Sequence, residues 1–142
     1  MPSFPVFQKK DKGPQIKPEL VKEFVTVGHG NFDKTKEMLN ELPALLNATW
    51  DWGGGDYETA LGGASHVGNR DIAQYLIKAG ARYDIFSAIM LGKLELVKSM
   101  LTIFPETINA KGPHGLSLIH HAKKGGDEAL PVLEYLQSLG AS

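Results

Sequence analysis

A ten-residue pattern recurs in this chain and constrains the possible fold more than any other feature of the sequence. The stretch Thr59–Gly68 aligns without gaps on Ser117–Gly126, at an offset of 58 residues, with hydroxyl, apolar, alanine and glycine positions coinciding. A shorter third copy, Ala88–Gly92, lies between them. The recurrence predicts a chain built of repeated units, whose function lies on an extended surface more often than in one catalytic pocket.

Hydrophobic periodicity predicts that these units are pairs of helices. Apolar residues recur at helical spacing over 18–27 and 32–46, 58–67 and 70–79, 86–91 and 94–104, and 116–124 and 129–139. Turn glycines at 30, 68, 92 and 126 recur at intervals near ~33 residues. The predicted fold is therefore all-α, with about four helix-turn-helix units at about 18–50, 51–82, 83–108 and 109–142. Residues 1–17, which contain three prolines and a lysine-rich stretch, are predicted to form a flexible arm.

Length and composition narrow the class of protein. A chain of 142 residues predicts one domain, and a net charge of -1 gives no support for nucleic-acid binding. The absence of cysteine excludes disulfides, thiolate metal sites and a cysteine nucleophile. The sequence contains no apolar run long enough for a signal peptide or a membrane span, so we expect a cytoplasmic protein with no membrane partner.

The repeated residues resemble those of the ankyrin repeat. The second unit matches that pattern at Thr59, Leu61, Ala64, Gly68, Ile72, Leu76, Gly80 and Ala81, and the fourth at Gly115, Ser117, Ile119, His120, Ala122, Gly126, Leu136, Gly140 and Ala141. Ala60 and Leu118 stand where the family has proline, and the third unit is about ten residues short. The resemblance spans residues 18–142 and implies an ankyrin-repeat solenoid with short hairpin loops. The loops at 47–59 and 111–115 further resemble a subgroup of small bacterial ankyrin-repeat proteins, which implies no particular activity.

The loop from Trp50 to Glu58 is the strongest candidate for recognition. It gathers both tryptophans, a tyrosine, three acids and three consecutive glycines. Aromatic rings with acids suit a basic partner, through cation–π and charge contacts. In the alternative interpretation the tryptophans cap the core between the first two units, and the glycines only form the hairpin.

A second candidate surface is the row of inner helices. Positions 63, 66, 87, 90, 121 and 124 align between units and are predicted to face outward, whereas His120 lies at the family's usual histidine position, which implies a bond to loop backbone. We therefore predict a protein–protein interaction module. Its predicted partner-binding residues are Trp50, Asp51, Trp52, Asp56, Tyr57, Gly63, His66, Ser87, Met90, His114, His121 and Lys124.

The sequence gives little indication of a metal site or a catalytic site. His66 and His121 lie two units apart, and at ~10 Å per unit they would not share a zinc ion. The sequence has neither a Gly-x-Ser-x-Gly nor a His-Glu-x-x-His motif. No catalytic residue, cofactor or metal site is therefore predicted, and the protein is not expected to be an enzyme. The alternative is a small-ligand or enzymatic site at Trp50, Asp51, Trp52, Asp56 and His66. A monomer is expected, with weak self-association through the last unit left open.

Overall fold

The computed structural model describes Ser3 and residues 11–142, and most of the described residues are helical. The helices are α1 Pro18–Val27, α2 Phe32–Glu41, α3 Ala60–Val67, α4 Arg70–Lys78, α5 Ile85–Met90, α6 Leu94–Ile103, α7 Leu118–Lys124 and α8 Leu130–Ser138. Strands β1 Thr49–Asp51 and β2 Tyr57–Thr59 form an antiparallel hairpin. The mostly helical prediction is confirmed for this part of the chain. Of the predicted arm, residues 1–2 and 4–10 lie outside the described residues.

The recurring sequence stretch has a local physical meaning at the start of α3 and α7. The side chain of Thr59 accepts a hydrogen bond from the backbone N–H of Gly62, and Ser117 does the same for His120. Such bonds satisfy N–H groups that the first turn of a helix leaves free. The repeated hydroxyl position is therefore a repeated N-cap.

Helix α2 ends earlier than its apolar pattern predicts. The pattern runs to Leu46, but the helix ends at Glu41, and Leu42 takes an extended conformation with φ -139° and ψ 84°. Pro43 explains the difference, because a proline disfavours helical geometry at the residue before it. A 3-10 turn follows over Pro43–Leu45 and still places Leu45 in the core.

The inner helices α3, α5 and α7 do not form a simple row, because each of them contacts the other two. The expectation that the second and fourth units lie two spacings apart is therefore wrong. Helix α5 has only 6 residues and is too short to separate its neighbours. At Gly68, an added Cβ would lie 2.5 Å from the carbonyl oxygen of Lys124, which shows how closely α3 and α7 approach.

Arg70 joins the ends of these inner helices. Its guanidinium donates to the carbonyl oxygens of Leu91 at 3.1 Å, Met90 at 3.1 Å and Gly125 at 3.2 Å. These carbonyls lie at the C-terminal ends of α5 and α7, where the helix leaves acceptors free and favours a cation. Arg70 also pairs with Glu128 at 3.0 Å.

This packing corrects the predicted exposure of the inner-helix row. Gly63, Ser87, Met90 and His121 were expected to face outward, but all four are buried. They are buried because α3, α5 and α7 pack on one another and cover these positions. Lys124 is exposed and His66 is partly buried. No helix of the described residues is long and apolar enough to span a membrane.

The burial of His121 predicts a dependence of stability on pH. Burial lowers the pKa of its imidazole from the ordinary value of 6.5. The ring donates from Nδ1 to the carbonyl of Ser117 at 2.8 Å, and its Nε2 is buried without a hydrogen-bond partner. Protonation would therefore place an unpaired N–H in the core. The unfolded chain binds this proton more readily, so stability falls as the pH drops through about 6.5, by up to about 1.4 kcal/mol per pH unit.

The variant His121→Asn tests this prediction by removing the titrating group. We expect the free energy of unfolding of the original protein to fall more steeply than that of the variant between pH 7.5 and 5.5. Urea denaturation measures both profiles, and the variant keeps the other four histidines. Parallel profiles would contradict a neutral, buried His121.

Candidate metal centre

Four side chains that lie far apart in the sequence converge at one end of the helical array. His29 follows α1, Glu58 belongs to β2, His66 to α3, and His114 to the loop between α6 and α7. One nitrogen or oxygen atom from each lies within 4.8 Å of the corresponding atoms of the other three. We call these four residues the His3Glu cluster.

The four donor atoms are spaced like ligands around a single ion. His29 Nε2 lies 3.1 Å from His66 Nε2 and 3.2 Å from Glu58 Oε1. Glu58 Oε2 lies 3.0 Å from His66 Nε2 and 3.4 Å from His114 Nε2. Ligands bound tetrahedrally at zinc distances of about 2.0–2.1 Å are separated by about 3.3–3.4 Å. The cluster therefore approaches the size of a small coordination sphere.

The orientation of His29 depends on the turn after α1 and on a missing side chain in α3. Its Nδ1 lies 2.8 Å from the carbonyl oxygen of Val25, which can only accept, so Nδ1 carries the hydrogen. Nε2 then points at the cluster. A Cβ atom at position 63 would lie 2.6 Å from the ring, so Gly63 provides the space for this imidazole.

Asp56 orients His114 by two hydrogen bonds. The backbone N–H of His114 donates to Oδ1 at 2.8 Å, and the ring Nδ1 donates to Oδ2 at 2.7 Å. The backbone bond and then the ring bond keep the pKa of Asp56 below its usual value. His114 has φ 61°, and no other non-glycine residue in the described part of the chain has a positive φ. Such a conformation is uncommon and clusters at functional sites, although histidine tolerates it better than most residues.

Glu58 is the buried centre of the cluster, with 1% of its surface exposed. Its Oε1 accepts a hydrogen bond from the indole Nε1–H of Trp52 at 2.9 Å, and its buried Oε2 lies 3.0 Å from Nε2 of His66. Burial opposes ionisation of Glu58, but hydrogen bonds from His29 and His66 outweigh it and lower the pKa to about 2. A buried, ionised carboxylate requires a compensating cation or proton donors nearby.

The hairpin holds Glu58 in place through its own turn. Trp50 pairs with Glu58 across the two strands, so the sheet register places the Glu58 side chain next to α3. Asp51 Oδ1 accepts from the backbone N–H groups of Gly53 at 2.8 Å and Gly55 at 3.0 Å. Asp51, predicted to contact a partner, therefore has a structural role in closing this turn.

The other predicted site residues divide between this centre and the surface. His66 and His114 belong to the cluster, and Asp56 and Trp52 bond to its members. Tyr57 is 63% exposed and Trp52 37% exposed, whereas Trp50 is partly buried and lies 6.0 Å from the ammonium group of Lys22. His120 donates to the backbone carbonyl of His66 at 2.8 Å, and this carbonyl lies in helix α3 and not in a loop as the resemblance implied.

Sequence reasoning missed two members of the cluster as site residues, His29 and Glu58. Folding brings them together with the other ligands, and no ligand spacing in the sequence connects the four residues. The one local signal is that Glu58 and His66 lie close together in the sequence. Strand β2 and helix α3 therefore bring them to the same place.

Comparison of the chain with models of known protein families gives no match, and comparison with curated proteins gives none either.

Proposed function

We propose that this protein binds one divalent transition-metal ion of the zinc class at His29, Glu58, His66 and His114. The observation that carries the proposal is the convergence of three imidazole Nε2 atoms and the two carboxylate oxygens of Glu58, with distances of 3.0, 3.1, 3.2 and 3.4 Å between neighbouring atoms. These separations leave room for an ion at ordinary zinc bond lengths.

The donor set indicates the class of ion. Three imidazole nitrogens and one carboxylate suit zinc, cobalt, nickel, copper or iron, whereas calcium and magnesium prefer oxygen ligands. Sites of this kind bind these ions in one general order of affinity, so the ligand set does not identify which of them is bound. Zinc and cobalt are the natural probes.

The hydrogen bonds behind the ligands support the proposal. A ligating histidine typically donates its second ring N–H to a carbonyl or a carboxylate, which fixes the tautomer and the ring direction. His29 does so to the carbonyl of Val25, and His114 does so to the carboxylate of Asp56. Both rings thereby present a lone pair at Nε2 when neutral.

Shared protons are the competing explanation of the same geometry. Imidazolium groups could donate to Glu58 and hold the cluster together without a metal. Nε2 of His66 lies 3.1 Å from Nε2 of His29 and 3.0 Å from Oε2 of Glu58, and a single ring hydrogen can serve only one of these contacts well. This crowding favours an ion that accepts lone pairs from all four groups.

Metal binding by the metal-free protein tests the proposal. After treatment with a chelator, we expect the protein to bind one equivalent of cobalt(II) with the visible spectrum of a low-coordinate site, and zinc to displace it. His66→Gln removes one ligand, and we expect it to weaken binding by at least about 100-fold, since loss of an outer-shell partner alone weakens binding by 10–100-fold.

A histidine outside the cluster provides the control. His121→Asn should bind cobalt like the original protein, because His121 is not a member of the cluster. Absence of stoichiometric binding, or equal binding by His66→Gln and the original protein, would overturn the proposal.

The scaffold of this site is, in our proposal, an irregular ankyrin-type repeat of four helix pairs. It is supported by the equivalent caps at Thr59 and Ser117 and by the tight turns within each pair. The metal ligands come from the first, second and fourth of these units. The ion would therefore cross-link units that are distant in sequence.

Protein recognition by the hairpin is a second candidate function. Tyr57 is 63% exposed on the hairpin, and a cleft of about 310 Å³ separates the hairpin from residues 111–113. Exposed aromatic side chains beside a cleft are common features of interfaces. This function is compatible with a bound metal, because the ion holds the hairpin and the 113–115 loop together through Glu58 and His114.

A further inference from the structure

The surroundings of the His3Glu cluster are strongly asymmetric. The Glu58 side chain is fully buried, and the exposed fraction then rises from 13% at His66 to 26% at His29 and 36% at His114. Protein therefore covers the Glu58 side of the cluster, and solvent reaches the side where His29 and His114 lie.

A cleft of about 350 Å³ opens on this exposed side. It is lined by Thr26, His29, Trp52 and His114, so two of the metal ligands form part of its wall. The Trp52 ring lies 6.1 Å from the His114 ring and is tilted by 49° to it. An ion in the cluster would thus lie at the floor of a cleft with an aromatic wall.

From this arrangement, and resting on the proposed metal binding, we infer that the ion takes a small apolar monocarboxylate as an additional ligand. The carboxylate binds the ion from the cleft, and the apolar part packs against Trp52. Zinc has no geometric preference from its d electrons, and a four-coordinate zinc site can expand to five ligands. The exogenous oxygen therefore adds to the protein ligands without displacing them.

Charge determines the class of ligand. A divalent ion with the Glu58 carboxylate carries one net positive charge, and the four residues that line the cleft carry no permanent charge. The Asp56 carboxylate, which is not among the lining residues, is hydrogen-bonded to the ring Nδ1 of His114 and offsets part of that charge from behind the ligand. An anionic oxygen still binds the ion better than a neutral one, because its charge interacts directly with the metal.

The Trp52 ring on the wall of the cleft determines which apolar group the ligand carries beside its carboxylate. A ring placed against the indole buries apolar surface on both partners and gains from offset or edge-to-face packing. Benzoate should therefore bind better than acetate, by about tenfold. Benzamide, which has the same shape without the charge, should not bind the ion.

Cobalt(II) spectroscopy tests this inference on the full chain. The cobalt-loaded protein is titrated with acetate, benzoate and benzamide, while the visible bands report the coordination of the metal. We expect a saturable spectral change with both carboxylates, at lower concentration for benzoate, and no change with benzamide. An unchanged spectrum with every probe, or equal affinities for acetate and benzoate, would overturn the inference while leaving the metal site intact. Failure to take up cobalt would instead overturn the proposed function on which the inference rests.

Two variants locate the ligand in the cleft. Trp52→Leu should reduce the preference for benzoate to about threefold or less, because the aromatic wall is lost. Thr26→Phe should fill the cleft and suppress benzoate binding, and it changes neither a metal ligand nor the hydrogen bond to Glu58. Tyr57→Leu, on the same hairpin but outside the cleft, is the matched control and should retain the preference. The cobalt spectrum without added ligand shows whether each variant is folded and loaded. If both loaded variants bind benzoate like the original protein, the ligand does not occupy this cleft.

Discussion

Saturating zinc is expected to raise the free energy of unfolding of the metal-free protein by about 4 kcal/mol when free zinc is about 1,000 times Kd. The reason is that the ligands come from four separate segments, so the unfolded chain has no preformed site. Urea denaturation in a chelator and in buffered zinc measures the two free energies. The stabilisation should grow with the logarithm of the free zinc concentration.

Glu58→Gln separates a metal from shared protons. The glutamine has the same shape and can still accept from the Trp52 indole, and its amide N–H group can donate to a ring nitrogen in place of Oε2. In the metal-free protein, however, the variant loses the contacts with His29 and His66 that lower the pKa of Glu58 to about 2, so we expect it to unfold more easily than the original protein. Its stabilisation by zinc should disappear, because a charged ligand is lost. Asp56→Asn should keep part of that stabilisation, since an outer-shell change weakens binding by about 10–100-fold.

The response to zinc identifies a proton-bonded cluster. If protonated histidines alone hold Glu58, the variant Glu58→Gln again destabilises the metal-free protein, but zinc changes the stability of neither protein. The zinc arm of the experiment therefore separates metal binding from proton sharing.

Gly92→Ala is expected to destabilise the protein by about 4 kcal/mol. Gly92 has φ 75°, where a side chain costs about 1–2 kcal/mol, and an added Cβ would lie 2.3 Å from the carbonyl oxygen of Glu128. Relief of this clash requires the backbone after α5 to move away from the turn before α8, which adds about 1–3 kcal/mol. Chemical denaturation with the chelator present measures the loss.

Gly126→Ala is the matched control for the close approach. Gly126 has a similar φ of 62°, but an added Cβ meets no atom within 4 Å. The variant Gly126→Ala should lose only the stability that a side chain at positive φ costs, about 1–2 kcal/mol. Equal losses in the two variants would mean that the contact between Gly92 and Glu128 does not limit the packing of the third and fourth units.

Local chemistry made much of the scaffold predictable. Caps at Thr59 and Ser117, turn glycines such as Gly68 and apolar residues at helical spacing act within a few residues, so the helices can be placed from the chain alone. Proline at 43 ended α2 earlier than the apolar pattern indicated, because backbone sterics overrode hydrophobic spacing.

The candidate site was predicted only in part, because its residues meet through contacts between segments that are distant in the sequence. Asp56 and His114 in loops, and His66 in α3, attract attention as polar groups in or beside glycine-rich segments. Their roles were misassigned to a protein surface, since the approach of His114 to Glu58 depends on how the fourth unit packs on the second. Gly63 shows the limit clearly: its sequence position suggests a contact surface, but its missing side chain provides the space for His29.

The sequence by itself determined the mostly helical character of the chain, its caps and turns, and the hairpin that carries Glu58, because these follow from interactions between near neighbours along the chain. Tertiary structure alone decided which inner-helix positions are buried and which polar groups meet. The short α5 lets α3 contact α7 directly, and this contact, with the Asp56–His114 pair, closes the His3Glu cluster. Contacts between segments so distant in sequence depend on the packing of whole helices, and no local pattern of residues encodes them.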